Sequence, residues 1–89
     1  MRYSVSYKKP AVRDIQKLNP QIQKRIKLKL EFFYEQTNPL EFATPLTKPA
    51  DAQYRFRIGN YRVLFDVEDK TIVILRVQHR SEVYRRLKK

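Results

Sequence analysis

The stretch QYRFRIGNYRVLF, residues Gln53 to Phe65, holds the chain's single glycine at the centre of an alternating apolar and basic run. Gly59–Asn60 between two runs of period two predicts a β-hairpin with a two-residue turn, glycine first as a type II′ turn prefers. So short a turn leaves no freedom in the pairing. Ile58 must face Tyr61, Arg57 must face Arg62, Phe56 must face Val63, and Arg55 must face Leu64. Alternation then sorts the side chains. Tyr54, Phe56, Ile58, Tyr61, Val63 and Phe65 share the face that has to be the core, and Arg55, Arg57 and Arg62 share the other. Arg57 opposite Arg62 is a like-charge pair, destabilising by up to about 1 kcal/mol on the scale of cross-strand contacts. Only Asp66 on that face of the hairpin could offset it.

Two uses would justify such a face. Long arginines can cover apolar surface and protect a sheet edge from aggregation. Alternatively, their guanidinium forks match phosphate oxygens and stay charged at any working pH. The charge balance favours phosphate: 20 Lys+Arg against 9 Asp+Glu give a net charge of +11, with the basic residues spread over both halves of the chain. No basic tail accounts for that total, so the folded body itself is cationic. Nucleic acid, an anionic membrane or an acidic protein would suit it.

With 89 residues, one domain spanning 1–89 is expected. The chain has no cysteine, which excludes disulfides, thiol nucleophiles and Cys-based metal sites. The N-terminus lacks an apolar run of signal-peptide length and no segment approaches transmembrane length, so a cytoplasmic protein without membrane contact is expected. RYSVSY alternates Tyr3, Val5 and Tyr7 with polar residues, as a short strand does. PAVRDIQKL predicts a first helix with Pro10 in its first turn. Asn19–Pro20 predicts an N-cap and first residue of a second helix. Its apolar stripe is Ile22, Ile26, Leu30 and Phe33, with Lys24, Arg25, Lys27 and Lys29 mostly off it.

A second Asn-Pro pair, Asn38–Pro39, is expected to end this helical hairpin. LEFATPLTKPADA, broken by prolines, reads as an ordered loop. Glu68–Asp69–Lys70 makes another turn, and TIVILRV is apolar on both faces, as a central covered strand would be. SEVYRRLKK predicts a short terminal helix capped by Ser81. The expected fold is α+β: a strand, a helical hairpin, a three-stranded antiparallel meander and a short C-terminal helix, with helices on one face of a mostly antiparallel sheet.

YRFRIGNYRVLF, then VILRVQHRSEVYR, after a basic helical hairpin, resembles the RelE/ParE superfamily of small bacterial and archaeal toxins over nearly the whole chain. The resemblance implies a compact α+β fold with a concave, basic sheet face. It implies a toxin of a type II toxin–antitoxin system. Toxins of the RelE branch cleave messenger RNA in the ribosomal A site. The implied partners are an acidic RelB-like antitoxin that wraps the toxin, the ribosome and mRNA. The toxin alone would be a monomer, and with antitoxin a hetero-oligomer.

By position, Arg55 and Arg57 fall where RelE-type toxins often carry basic residues, and Arg62 matches an arginine that contacts the scissile phosphate. Arg80 lies in the basic segment before the tail. Tyr84 matches a tyrosine that stacks on or orients the substrate nucleotide, where otherwise it would simply anchor the tail. Gln78 departs from the pattern, standing where some members have another arginine. The implied catalytic set is Arg62, His79, Tyr84 and Arg55, with Arg57, Arg80, Lys24 and Lys27 holding RNA. Arg55 cannot act as a general base, because a guanidinium hardly deprotonates. His79 could take the proton from a 2′-hydroxyl or give one to the leaving oxygen. It could instead pack or cap at the strand end.

The implied reaction uses no metal or cofactor. The RNA's own 2′-hydroxyl attacks the adjacent phosphate, and the arginines stabilise the phosphorane. Asp66, Glu68 and Asp69 lie at a turn without a fourth partner for a cation, which suits a solvated turn. Two rivals share the composition: a ParE-like toxin that inhibits DNA gyrase by protein contact, and a non-catalytic RNA or ribosome binder. A shared fold cannot separate them; the clustering of Arg55, Arg57, Arg62, His79 and Tyr84 favours the nuclease.

Overall fold

The computed structural model describes the backbone of residues 3–47 and 51–87, and the side chains of these as far as Val83. Strands β1 (Ser4–Tyr7), β2 (Ala43–Pro45), β3 (Tyr54–Ile58), β4 (Tyr61–Glu68) and β5 (Thr71–His79) form one sheet in the order β1-β5-β4-β3-β2. Helices α1 (Lys9–Gln16) and α2 (Pro20–Tyr34) lie between β1 and β2 in the chain, and α3 (Arg80–Leu87) follows β5. β1 runs parallel to β5, a pairing that requires a long crossover, and the helical hairpin begins it. The other pairs are antiparallel. Among the described residues no helix is long and apolar enough to cross a membrane.

The α+β order and the meander are as expected, with three local differences. The segment read as a loop contains a 3₁₀ turn, Pro39–Phe42, and the edge strand β2 paired to β3. Three residues ending in proline are too short to show a period of two, and proline suits an edge. Second, α2 stops at Tyr34, and Asn38 opens the 3₁₀ turn instead, its side chain accepting from the Leu40 N–H at 3.2 Å. Third, Ser81 lies inside α3 and not at its cap, because the helix starts one residue earlier at Arg80. The Asn19 cap is present as expected, accepting from the Ile22 N–H at 2.9 Å.

The main core lies between the helices and one sheet face. Ile26, Leu30 and Phe33 of α2 meet Phe56, Val63, Phe65, Ile72 and Ile74. Its spine is a run of stacked rings: Phe33 on Phe56 at 4.5 Å, Phe56 on Phe65 at 4.4 Å, and Phe65 beside Tyr54 at 5.5 Å. The apolar character of both faces of β5 has two causes. A bulge between Leu64 and Phe65 skips Leu75, pairing Leu64 with Arg76 and Phe65 with Ile74. On the opposite face Leu64 and Val73 are also buried, outside the main core, as is Val83 of α3, which packs on β4 and β5.

β1 pairs with β5 only as far as Ile74, so the rest of that edge needs other partners. Asp14 on α1 supplies one. Its carboxylate accepts from the Val77 N–H at 2.9 Å and takes Arg76 in a two-point grip at 2.8 and 3.0 Å. Partial burial pushes the Asp14 pKa up, but the hydrogen bonds from Arg76 and Val77 and the Arg76 charge outweigh it and hold it below the ordinary value. A depressed carboxyl pKa stabilises the fold above the unfolded value and is lost as pH falls through the folded one. Arg76 is 40% exposed, which discounts the pair. Asp14→Ala should therefore destabilise by about 2 kcal/mol at neutral pH. Urea titrations should show the gap to wild type closing in acid, below the usual carboxylate range.

Candidate nucleic-acid interface

The hairpin register is as the two-residue turn demands: Ile58 pairs with Tyr61, Arg57 with Arg62, Phe56 with Val63 and Arg55 with Leu64. Gly59 takes φ +57°, the left-handed region that glycine enters without strain. Arg55, Arg57 and Arg62 therefore share the sheet face opposite the main core. Arg80 lies near enough for its charge to act on Arg62, and its backbone N–H donates to the Asn60 carbonyl at 2.7 Å, tying the start of α3 to the hairpin turn.

Arg62 shows how crowded this face is. Its Nη1 donates to the Gly59 and Tyr61 carbonyls at 3.0 and 2.9 Å, folding the guanidinium around the turn. Burial first, then repulsion from Arg57, Arg55 and Arg80, pull its pKa below the ordinary arginine value. Among the described residues none of these four arginines has a carboxylate within ion-pair distance; the salt bridge found is Arg76–Asp14. Asp66 is engaged elsewhere, accepting from the Gln53 N–H at 2.9 Å. Arg55 is half-buried with its Nε–H shielded from solvent and unpartnered. A folded protein seldom leaves such a donor without an acceptor. Four guanidinium groups without a carboxylate partner among the described residues, and one idle donor, have the chemistry to receive an anion with several oxygens.

The other predicted residues divide. His79 pairs with Tyr61 and touches its ring edge-on at 5.3 Å, which places it on the face opposite Arg62. Its Nδ1 receives the Ser81 N–H at 3.2 Å and lies 2.9 Å from the Ser81 hydroxyl oxygen. The backbone donor makes Nδ1 the acceptor and leaves the proton of the neutral ring on Nε2. Lys24 and Lys27 are both exposed on α2. Lys24 lines a groove with Arg57, and Lys27 is outside that groove. Tyr84 belongs to α3, and its side chain falls outside the described residues. Sequence alone did not single out Arg25 and Lys29, which line the same groove as Lys24. Their place on the helix flank next to the apolar stripe was the available signal. Gln78 pairs directly with Arg62 and is 6% exposed, so the arginine face has a polar, buried floor at that point.

Comparison with known proteins places this geometry in a family. Residues 5–84 match the family described as the ParE toxin of type II toxin–antitoxin systems, parDE. The toxin RelG of Mycobacterium tuberculosis is 37% identical over 90 residues, covering 97% of this chain and 100% of that protein. The toxin RelE3 of Methanocaldococcus jannaschii is 35% identical over 90% of this chain and 93% of its own. Among solved structures, the toxin–antitoxin complex RelBE2 of M. tuberculosis aligns with a TM-score of 0.75 at 32% identity, over 89% of this chain and 99% of that one. The RelB–RelE complex of Methanococcus jannaschii aligns with a TM-score of 0.67 at 31% identity, over 90% and 95%. The arginine-faced sheet and its helical hairpin thus belong to a toxin of a type II toxin–antitoxin system, a member of the RelE/ParE family.

Proposed function

We propose that this toxin is a ribosome-dependent mRNA endoribonuclease that uses the RNA 2′-hydroxyl as nucleophile and needs no metal. The observation that carries the proposal is the convergence of Arg55, Arg57, Arg62 and Arg80 without a carboxylate among the described residues. A phosphodiester passing to a pentacoordinate phosphorane gains charge on its non-bridging oxygens. Donors already held in place for that charge stabilise the transition state more than the ground state. Arg62, fixed by two turn carbonyls, is the best organised of the four. Arg55 brings the idle Nε–H, while Arg57 and Arg80 hold flanking phosphates. Lys24 and Lys27 add contacts along α2, and Tyr84 is proposed to stack on the substrate nucleotide.

For His79 we favour a positioning role over proton transfer. With Nδ1 occupied by Ser81, the neutral ring has no free lone pair to act as a base. It holds the first turn of α3, and with it Arg80. His79→Asn keeps an acceptor for the Ser81 N–H and should retain most of the cleavage rate, whereas His79→Ala should lower it. An Asn variant as inactive as the Ala variant would instead assign His79 to proton transfer.

The solved relatives are complexes of RelE-type toxins with RelB-type antitoxins. A surface of net charge +11 suits the same kind of partner here, an acidic antitoxin that neutralises the monomeric toxin as a hetero-oligomer. One observation favours a second activity: the matching family model is that of ParE toxins. The gyrase-inhibitor reading follows from it. Purified protein in a translating extract, beside a gyrase supercoiling assay, separates the two. The nuclease reading expects cut message and normal supercoiling; intact message with blocked supercoiling would replace it.

A further inference from the structure

Three side chains stand in one row across the arginine face of the sheet. Arg57 of β3 pairs with Arg62 of β4, and Arg62 pairs with Gln78 of β5. Residues paired in this way share a face, with Cβ atoms about 4.5–5.5 Å apart. The row runs from solvent to interior: Arg57 is exposed, Arg62 half-buried and Gln78 buried. Arg62 thus has a repelling cation on its open side and a neutral amide on its buried side. Packing alone would favour an apolar residue at that buried end. Leu64 and Val73 on the same face, and Val83 of α3, are apolar and buried. Among the described residues Gln78 is the one polar side chain that is buried, and burying an amide costs free energy that an apolar side chain would not.

The needs of Arg62 account for the glutamine. Its Nη1 is held by the Gly59 and Tyr61 carbonyls, which leaves Nε–H and Nη2 as donors toward a phosphate. A cation at position 78 would add to the three arginines that already repel Arg62. A carboxylate there would pair with Arg62 and cancel the charge that a phosphate needs. An apolar side chain would leave the buried flank of the guanidinium without an acceptor. An amide can accept and brings no charge. We propose that Gln78 is a positioning residue for Arg62, an uncharged buried flank that keeps the guanidinium at the turn with its full charge available to phosphate. The proposal rests on the nuclease reading only for which phosphate is bound; the effect on Arg62 exists in the free toxin.

The test reads the Arg62 Nε–H signal of the isotope-labelled full chain by NMR, assigned by its loss in Arg62→Lys, with inorganic phosphate as the probe. Gln78→Met keeps the length and removes the amide; Gln78→Glu keeps the shape and adds a charge. In the Met variant the signal should move and broaden. Single-turnover cleavage by pre-bound toxin should fall roughly 10-fold or more, as for a displaced reacting group, with ribosome affinity unchanged. In the Glu variant the signal should stay sharp but no longer respond to phosphate. Cleavage should fall further, and the melting temperature should not drop. The Glu variant decides the matter even where the Met variant melts early. A wild-type Arg62 signal and phosphate response in both variants would overturn the proposal and make Gln78 a space-filling residue. Losses of cleavage that follow only a lower melting temperature or weaker ribosome binding would do the same. Absence of cleavage by the wild type, with the Arg62 signals as expected, would remove the nuclease reading and leave this one standing.

Discussion

Arg62→Ala should lower the rate of mRNA cleavage by roughly 10²–10³, or about 2.7–4 kcal/mol of transition-state stabilisation, the usual loss on removing one preorganised donor. The size follows from where the residue is held. Its guanidinium is tied to the Gly59 and Tyr61 carbonyls and already strained by three neighbouring cations. No reorganisation is needed as charge develops on the phosphorane. Removing it should not weaken the fold, since it relieves the Arg57–Arg62 repulsion across the hairpin. Ribosome binding should survive, because the phosphate contacts proposed for Lys24 and Lys27 on α2 do not depend on it. The paired change Lys24→Ala with Lys27→Ala should do the reverse, weakening binding and its salt dependence while single-turnover cleavage of bound message persists. Single-turnover rates with pre-bound ribosomes separate the two effects. Full activity in Arg62→Ala would return the arginines to a solvated face.

Phe56→Ala should cost about 3–5 kcal/mol, enough to threaten folding of a domain this small. Phe56 is completely buried and stacks on both Phe33 and Phe65, so it joins α2 to the sheet. Its loss leaves a cavity between two rings that cannot close around it without moving the helix. For a chain of this size each kcal/mol shifts Tm by about 4–8 °C. Thermal melts should therefore show a fall of more than ten degrees by that scale, or no cooperative transition. A change of only a degree or two would show that α2 can settle onto the sheet without this ring. Phe56 also sits between Arg55 and Arg57 in β3, so loosening it should disperse the arginine face and reduce cleavage as well.

Most of the fold was legible in the sequence, because a two-residue turn determines a register and a register determines faces. From QYRFRIGNYRVLF alone, the pairing of four residue pairs, the core face and the arginine face all follow, and the structure has them. The Asn19–Pro20 helix start was equally plain, since a cap is chemistry local to a few residues. What was not legible depends on contacts distant in sequence. β2 is too short to carry a period. The bulge at Leu64/Phe65 appears only once β4 and β5 are paired, and Asp14 meets Arg76 from 62 residues away. In the site, Arg55, Arg57 and Arg62 could be grouped from alternation. The placing of His79 on the opposite face required its pairing with Tyr61, which the bulge shifts by one residue. Leu28 lies off the apolar stripe of α2, and its place beside Ile58 and Gly59 shows only once the helix is set against the sheet.

The central claim is that Arg62 and its neighbours stabilise attack by the RNA's own 2′-hydroxyl. It is tested most directly with a programmed ribosome carrying a message that has a single 2′-deoxynucleotide at the mapped cut site. The account predicts that this message resists cleavage while the all-ribose message is cut to ends bearing a 2′,3′-cyclic phosphate or 3′-phosphate. Cleavage of both messages at the same rate, leaving 3′-hydroxyl ends, would mean that water attacks instead and would contradict it.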